Sequence, residues 1–521
     1  MAFFDDGVAK RCCFAGQNRV TLALVKDGCD GAPKFGGNTM NKLVNAFTND
    51  VLGTLDAVGV AEAIATKQIS VSEATEAAIG RIEKANVELG AVVVKAYDDA
   101  RRHHGLARGG LLYGVPTLIK DNDHVKGYPT QFGTGAFKSR IAKRHGRFVE
   151  QFLSTGVNTL GKSTMPEFGL LCSTENPRWG ITRNPWNTAY TAGGSSSGSA
   201  AMVACGAVPI ATANDGAGSI RIPAACCGLV GLKPSRGRLM AMDGTNLMPI
   251  NIVYQGVLTR SVRDTAAFYA AAERFYRNPR LPEMGHVKHP GKDRLRVVFF
   301  ENQPAGRRGY IDDDTYRVQM ETVKLLESLG HRVDRMRVPL DVDEMTWHFL
   351  NYYGFMAYLV TYWGRWVHGA DVDMAQLETF TLGLARRFRR NVLEMPQTFR
   401  VLLNAAAEID RLFDGTYDVL MSPVGAQKTP EIGYFSPDLP YDEICRRAAD
   451  FAPYTGLQNV TGSPSISLPL GTASDNMPIG VQFTAKKGED KRLLELAYQL
   501  EAEKPWKMIH QASERSDSPN A

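Results

Sequence analysis

Apolar positions along this chain switch repeatedly between a period near 3.6 and a period of two. Residues 55–68 read as a helix. A second helix opens at Ser70-Val71-Ser72-Glu73, a capping box, and Ala74, Ala77, Ala78 and Ile82 mark its buried face. Val92-Val93-Val94 predicts a strand. Residues 147–154 predict a helix, 158–162 a strand, the alanine-rich 199–206 a close-packed helix, and 208–213 a strand. Further along, 295–300 and 333–338 read as strands on either side of a helix over 314–329. A helix around 374–399, strands at 419–421, 465–470 and 479–483, and a helix over 491–503 complete the pattern. Strand and helix alternate over the whole length, which predicts one large α/β unit.

Composition narrows the class. The chain has 521 residues, 44% hydrophobic and 22% charged, the balance of a globular protein. Length alone would allow about three domains at ~150 residues each. Net charge is +5 with no long run of one sign. The densest basic cluster, Arg386-Arg387-Phe388-Arg389-Arg390, reads as a solvated helix face. No nucleic-acid-binding motif accompanies it, so no nucleic-acid partner is expected. No stretch approaches the ~20 apolar residues of a membrane span. The eight cysteines, Cys12, Cys13, Cys29, Cys172, Cys205, Cys226, Cys227 and Cys445, lack the paired spacing of a zinc site. No metal or other cofactor is expected. Cys205, Cys226 and Cys227 read as buried thiols, and reduced cysteines fit a cytoplasmic protein. Residues 1–39 are aperiodic and lack a signal-peptide core, so they are expected to be a non-native or loosely ordered leader. The domain is expected over 40–511, followed by a disordered tail over 512–521.

Two motifs mislead. Gly156-Val157-Asn158-Thr159-Leu160-Gly161-Lys162-Ser163 matches a phosphate-binding P-loop, but the apolar strand lies inside the match and Pro166 disfavours a helix after it. Gly194-Ser195-Ser196-Ser197-Gly198 matches a nucleophile elbow, yet Asn187-Thr188-Ala189-Tyr190-Thr191 before it is no buried strand, and no later histidine has a catalytic setting.

The informative region runs from Ala192 to Arg238. It holds two serine-bearing, glycine-rich turns, Gly193 to Ser199 and Asn214 to Pro223. Successive amides in such turns can face one oxyanion, and serine supplies a nucleophile. A base is sought upstream, where Val115-Pro116-Thr117-Leu118-Ile119-Lys120-Asp121 reads as an apolar strand ending in lysine. Two readings of Lys120 stand. One is a strand-end side chain reaching solvent. The other is a buried amine whose pKa falls from ~10.4 toward ~7–8, where it works as a base.

The motifs Gly-Val-Pro-x-x-Ile-Lys-Asp, Gly-Gly-Ser-Ser and Asp-x-x-Gly-Ser-Ile-Arg-x-Pro occur here in that order. Together they resemble the amidase signature family, whose members use a Ser–cis-Ser–Lys triad. The resemblance covers roughly residues 50–505. It implies one α/β domain with a mixed central β-sheet covered by helices on both faces. It also implies that Ser219 is the nucleophile, Ser195 the bridging serine after a cis peptide bond, and Lys120 the base. The amides of Gly216, Ala217, Gly218 and Ser219 correspond to the oxyanion hole, and Asp215 and Arg221 to its supports. Gly198 after three serines, and Ala217 in place of a common glycine, depart from the usual pattern.

Cys172-Ser173-Thr174-Glu175 matches the segment that lines the family's pocket, so Cys172, Ser173 and Thr174 are expected to bind substrate. Asn184-Pro185-Trp186-Asn187 and Asp475-Asn476-Met477-Pro478-Ile479-Gly480 look most like the branch containing 6-aminohexanoate-cyclic-dimer hydrolase. The aromatic run from Trp347 to Trp366 supplies either core or an apolar substrate wall. The expected activity is hydrolysis of apolar or aryl amides, anilides or carbamates through an acyl- or carbamoyl-enzyme, by a monomer or homodimer. The alternative is a glutaminase subunit of an amidotransferase, working with a protein partner.

Overall fold

The expected capping box forms. Ser70 Oγ accepts from Glu73 N, the Glu73 carboxylate accepts from Ser70 N, and a helix runs over Val71–Leu89 to a left-handed Gly90. Ala74, Ala78, Ile82, Ala85 and Leu89 form its buried face. This is a computed structural model, described for residues 41–102, 106–301, 310–337, 339–367 and 369–513. The leader expected over 1–39 lies outside the described residues. Of the tail expected over 512–521, Ala512 and Ser513 close a short helix, Ile509–Ser513, and the rest lies outside them.

The strands in chain order are β1 (Val92–Lys95), β2 (Pro116–Lys120), β3 (Asn158–Ser163), β4 (Glu175–Asn176), β5 (Gly180–Ile181), β6 (Ile210–Asp215) and β7 (Val230–Lys233). They continue with β8 (Tyr254–Thr259), β9 (Arg296–Phe300), β10 (Arg332–Met336), β11 (Val419–Pro423), β12 (Ser465–Thr472) and β13 (Pro478–Ala485). Eleven of them make one sheet in the order β1-β3-β2-β6-β8-β7-β12-β13-β11-β9-β10, and β4 and β5 pair separately. The sheet is mixed. β3, β2 and β6 run parallel, as do β11, β9 and β10, while the strands from β6 through β8, β7, β12 and β13 to β11 pair antiparallel. Helices flank it, as the resemblance implies.

Close packing places the site. Every residue of helix Ser197–Ala204 is buried. A Cβ on Gly198 would fall 2.3 Å from Ala91 O and 2.5 Å from Thr164 N, so the glycine here, which follows a third serine, lets the helix seat against the end of β3 and the chain before β1. A second apolar cluster gathers Leu170, Ile222, Val253, Tyr352, Tyr353 and Leu384 beside the sheet. It is carried by helices Val342–Tyr362, Thr379–Arg390 and Met395–Leu412. The single helix expected over 374–399 is thus interrupted. Pro396 lacks an amide hydrogen and sits in the first turn of a new helix instead of the interior of an old one. On Thr379–Arg390, Arg386, Arg389 and Arg390 are exposed, while the Arg387 guanidinium lies 4.0 Å from the Trp347 ring centroid.

Candidate active site

β2 is buried along all five residues, and Lys120 at its end is fully buried. The reading of Lys120 as a solvent-reaching side chain is therefore excluded. Its Nζ donates to Ser195 Oγ at 2.8 Å, to Ser196 Oγ at 3.0 Å, and to Asn214 Oδ1. Burial lowers its pKa to about 7, against the opposing pull of Asp123 and Asp215. Close to neutral pH much of this amine is uncharged.

Ser195 is presented by a tight passage of chain. The Gly194–Ser195 peptide bond is cis. A Cβ on Gly194 would lie 2.7 Å from Cys172 C and 2.8 Å from Ser173 N, so only glycine lets the two backbones approach this closely. On the neighbouring strand, β6 ends by placing Asn214 against Lys120 and Asp215 under the next loop.

Asp215 organises that loop. Its carboxylate accepts from Gly218 N at 2.6 Å, Ile220 N at 3.2 Å, Asn459 Nδ2 at 2.9 Å, and Arg221 Nε and Nη2 at 2.9 Å each. Burial works to raise its pKa, but the Arg221 charge and hydrogen bonds overcome this and hold it at about 2. Arg221 is itself fully buried and also reaches Gln482, Gln458, Asn459 Oδ1 and Thr455 O. The pair ties the loop to β13 and to the short helix Gly456–Thr461.

This geometry corrects one expectation. The Gly218 amide already serves Asp215, so it is not open to an oxyanion. The amides of Gly216, Ala217 and Ser219 have no acceptor among the described residues. Ser219 is 7% exposed at the loop surface, and its carbonyl accepts from Ser196 Oγ at 2.7 Å. No hydrogen bond joins Ser195 Oγ to Ser219 Oγ among the described residues. The structure thus brings Lys120 and Ser195 together and leaves the second link open. Two residues missed in the sequence join the site. Ser196 bridges Lys120 to the Ser219 backbone, and Asn214 accepts from Lys120. Their only signals were adjacency to Ser195 and Asp215.

Two cavities flank the loop. The larger, about 520 Å3, reaches Ser195, Asn214 and Gly216 and has apolar walls including Phe132, Phe168, Met242, Met248 and Met356. The smaller, about 110 Å3, reaches Ser219 and Ala217 and is walled by Cys172, Ile222, Phe349 and Phe380. Leu170 and Tyr353 line both. The aromatic run from Trp347 therefore splits. Tyr352 is core, hydrogen-bonded to Ile250 O at 2.6 Å, whereas Phe349, Tyr353, Phe355 and Trp366 face the cavities. Of the three expected substrate-binding residues, Cys172 lines a cavity. Ser173 and Thr174 do not, because their hydroxyls are buried in bonds to Thr191 at 2.8 Å, Glu175 at 2.9 Å and Ser197 at 2.7 Å.

The two misleading motifs resolve as expected. β3 lies within the P-loop match and is followed by a short 3-10 turn, Glu167–Gly169. Before Gly194 the chain forms only isolated bridges, at Thr191 and Tyr190. Among the described residues no cluster of histidine, cysteine or acidic side chains is arranged to hold a metal ion, and no helix is long and apolar enough to cross a membrane.

A neutral buried lysine beside two serine turns, with unengaged amides in one of them, is a constellation suited to acyl transfer. The family model described as Amidase matches residues 73–494, and the chain belongs to this family, the amidase signature hydrolases that act on amides. Among its relatives, the candidate amidase AmiC of Mycobacterium leprae (strain TN) is 46% identical over 466 residues, covering 89% of this chain and 98% of that one. The 6-aminohexanoate-cyclic-dimer hydrolase of Paenarthrobacter ureafaciens is 33% identical over 486 residues, covering 87% and 95%. A solved structure of 6-aminohexanoate cyclic dimer hydrolase with its substrate superposes with a TM-score of 0.76 at 29% identity, over 87% of this chain and 97% of that one. A bacterial aryl acylamidase of the same family superposes with a TM-score of 0.73 at 25% identity, over 88% and 98%.

Proposed function

We propose that this protein hydrolyses apolar or aryl amides, anilides or carbamates through a covalent intermediate on Ser219. The observation that carries the reading is the buried Lys120 amine, with a pKa of about 7, 2.8 Å from Ser195 Oγ. Neutral Lys120 takes the Ser195 proton, and Ser195 takes the Ser219 proton as Ser219 Oγ attacks the carbonyl carbon. The Ser195–Ser219 link closes when substrate binds, as catalytic hydrogen bonds in unliganded enzymes often do. The amides of Gly216, Ala217 and Ser219 receive the oxyanion, each such donor contributing ~3 kcal/mol. The C–N bond breaks as the proton returns along the relay to the leaving nitrogen. Water, deprotonated by the same relay, then releases the acid.

The substrate class rests on the walls. Apolar side chains make up most of the wall of both cavities, which favours apolar groups on either side of the scissile bond. A carbamate undergoes the same attack by Ser219 Oγ, but its C–O bond breaks, the relay proton passes to the leaving oxygen, and a carbamoyl-enzyme stands in place of an acyl-enzyme. The resemblance to an aryl acylamidase supports the aryl preference. The test is a panel of anilides, primary amides, cyclic amides and aryl carbamates with the purified chain. Turnover of an anilide by the isolated chain, lost in Ser219→Ala, is expected. Activity on glutamine that requires a partner protein would favour the glutaminase alternative.

A further inference from the structure

The Lys120 amine has three partners, and their chemistry fixes where its hydrogens go. A neutral amine offers two hydrogens and one lone pair. Asn214 Oδ1 can only accept, so one hydrogen goes to it. Ser196 gives its own hydrogen to Ser219 O at 2.7 Å, so towards Lys120, 3.0 Å away, its oxygen also accepts. Both amine hydrogens are then committed, and the lone pair is left for the Ser195 hydroxyl at 2.8 Å. The amine can take the Ser195 proton without reorienting.

The same contact locks the Asn214 amide. Turned over, it would aim hydrogens at Nζ, which in its protonated state has no lone pair to offer. The backbone is held as well, because Asn214 pairs with Gln255 across β6 and β8. With Oδ1 committed to Lys120, Nδ2 is the free end. It has no acceptor among the described residues and, unlike the unpartnered atoms sealed elsewhere in the chain, it keeps accessible surface. Asn214 lines the larger cavity together with Ser195 and Gly216, so this donor opens beside the reacting groups. Solvent can satisfy it until substrate enters. A hydrocarbon arm then leaves it unpaired, whereas an arm that carries an oxygen does not.

We propose that Asn214 is a specificity-determining residue. Its Nδ2 donates to an ether or carbonyl oxygen that the substrate carries beyond the scissile group itself, on the arm that enters the larger cavity. The preferred substrates are then amides or carbamates with an oxygen-substituted arm, ahead of plain hydrocarbon ones. This rests on the hydrolase reading above, but the contact can be tested without turnover. No bond is made or broken in it.

Two pairs of compounds exchange one methylene for oxygen: methoxyacetyl against butyryl anilide on the acyl arm, and ortho-methoxy against ortho-ethyl acetanilide on the aryl arm. Binding is read first, as the thermal shift of Ser219→Ala with and without Asn214→Leu or Asn214→Asp. In one pair the oxygen compound should raise Tm more, and either Asn214 substitution should abolish the difference. Equal shifts in both pairs, or a difference that survives both substitutions, would overturn the contact whether or not the enzyme turns over. The oxygen-to-methylene ratio of kcat/KM is then divided by the same ratio in Asn214→Leu, so that intrinsic reactivity and the amount of folded enzyme cancel. The quotient should be about tenfold or more in one pair. A quotient near one in both pairs would contradict the proposal.

Asn214→Asp separates the two ends of the side chain, because it keeps an acceptor on Lys120 and loses the donor. Its carboxylate would join Asp123 and Asp215 in favouring the ammonium, so the acid limb of kcat/KM should move up by at least one pH unit. A limb that stays in place would put Asn214 out of contact with Lys120 and overturn the fixed orientation of its amide. If the oxygen compounds discriminate in binding but no anilide is cleaved, the Asn214 contact stands and the hydrolase reading fails.

Discussion

Lys120 Nζ lies 2.8 Å from Ser195 Oγ, and neither residue is more than 2% exposed. The lysine is thus a base held out of water, with its proton acceptor state set by burial. Its activity should follow the neutral amine. The value of kcat/KM should fall about tenfold per pH unit below about 7 and level off above it. Lys120→Ala should lower kcat/KM by about 10²–10⁴-fold. Initial rates from pH 5.5 to 9 check both statements.

The same burial links to stability. In the unfolded chain the lysine titrates near ~10.4, so between pH 7 and that value the unfolded state binds a proton the folded state does not. Stability therefore rises with pH across this window through Lys120. Lys120→Met should remove that contribution, leaving a shallower rise. Lys233, whose pKa burial also holds well below its usual value, keeps its own share. Urea midpoints at pH 7, 8 and 9 for both proteins measure the difference.

Asp215 and Arg221 form an ion pair at 2.9 Å with both side chains fully buried. Removing one partner strands the other charge. Arg221→Met should destabilise the protein by about 3–5 kcal/mol, visible in urea unfolding. Even in the folded fraction it should reduce kcat, because Asp215 no longer holds the Gly218 and Ile220 amides in place.

Gly194 faces the backbone of Cys172 and Ser173, which cannot swing aside like a side chain. Gly194→Ala should cost about 1–3 kcal/mol through overpacking and should lower kcat more than tenfold by displacing Ser195. Gly80, where a Cβ meets nothing within 4 Å, is the matched control. Gly80→Ala should leave activity unchanged. Melting temperatures and kcat for the pair decide it.

What could be read without the structure was local. The Ser70 capping box, the strand ending at Lys120, and the turns at Ser195 and Ser219 each declare themselves within a few residues. The strands β7 and β8 did not. Tyr254–Thr259 is buried at all six positions, Gln255 and Thr259 included, so no in–out alternation marks it. Helix Gly456–Thr461 has six residues and is held by Asn459, which donates to Asp215 O and Ile252 O. Its stability is tertiary and leaves no periodic trace. The Gly218 amide was assigned to the oxyanion from its place in the motif, but the Asp215 carboxylate takes it. Whether an amide is free depends on what folds beneath it. Ser173 and Thr174 were likewise read as pocket residues from motif position, and long-range partners turned both inward.

The central claim is that Ser219, and not Ser195 or Ser196, carries the covalent intermediate. Enzyme mixed with excess aryl carbamate, quenched in acid and digested, gives a direct answer by intact-mass and peptide mass spectrometry. The account predicts one carbamoyl group, mapped to Ser219 and absent from folded Ser219→Ala. A carbamoyl group mapped to Ser195 or Ser196, or one retained by folded Ser219→Ala, would contradict it.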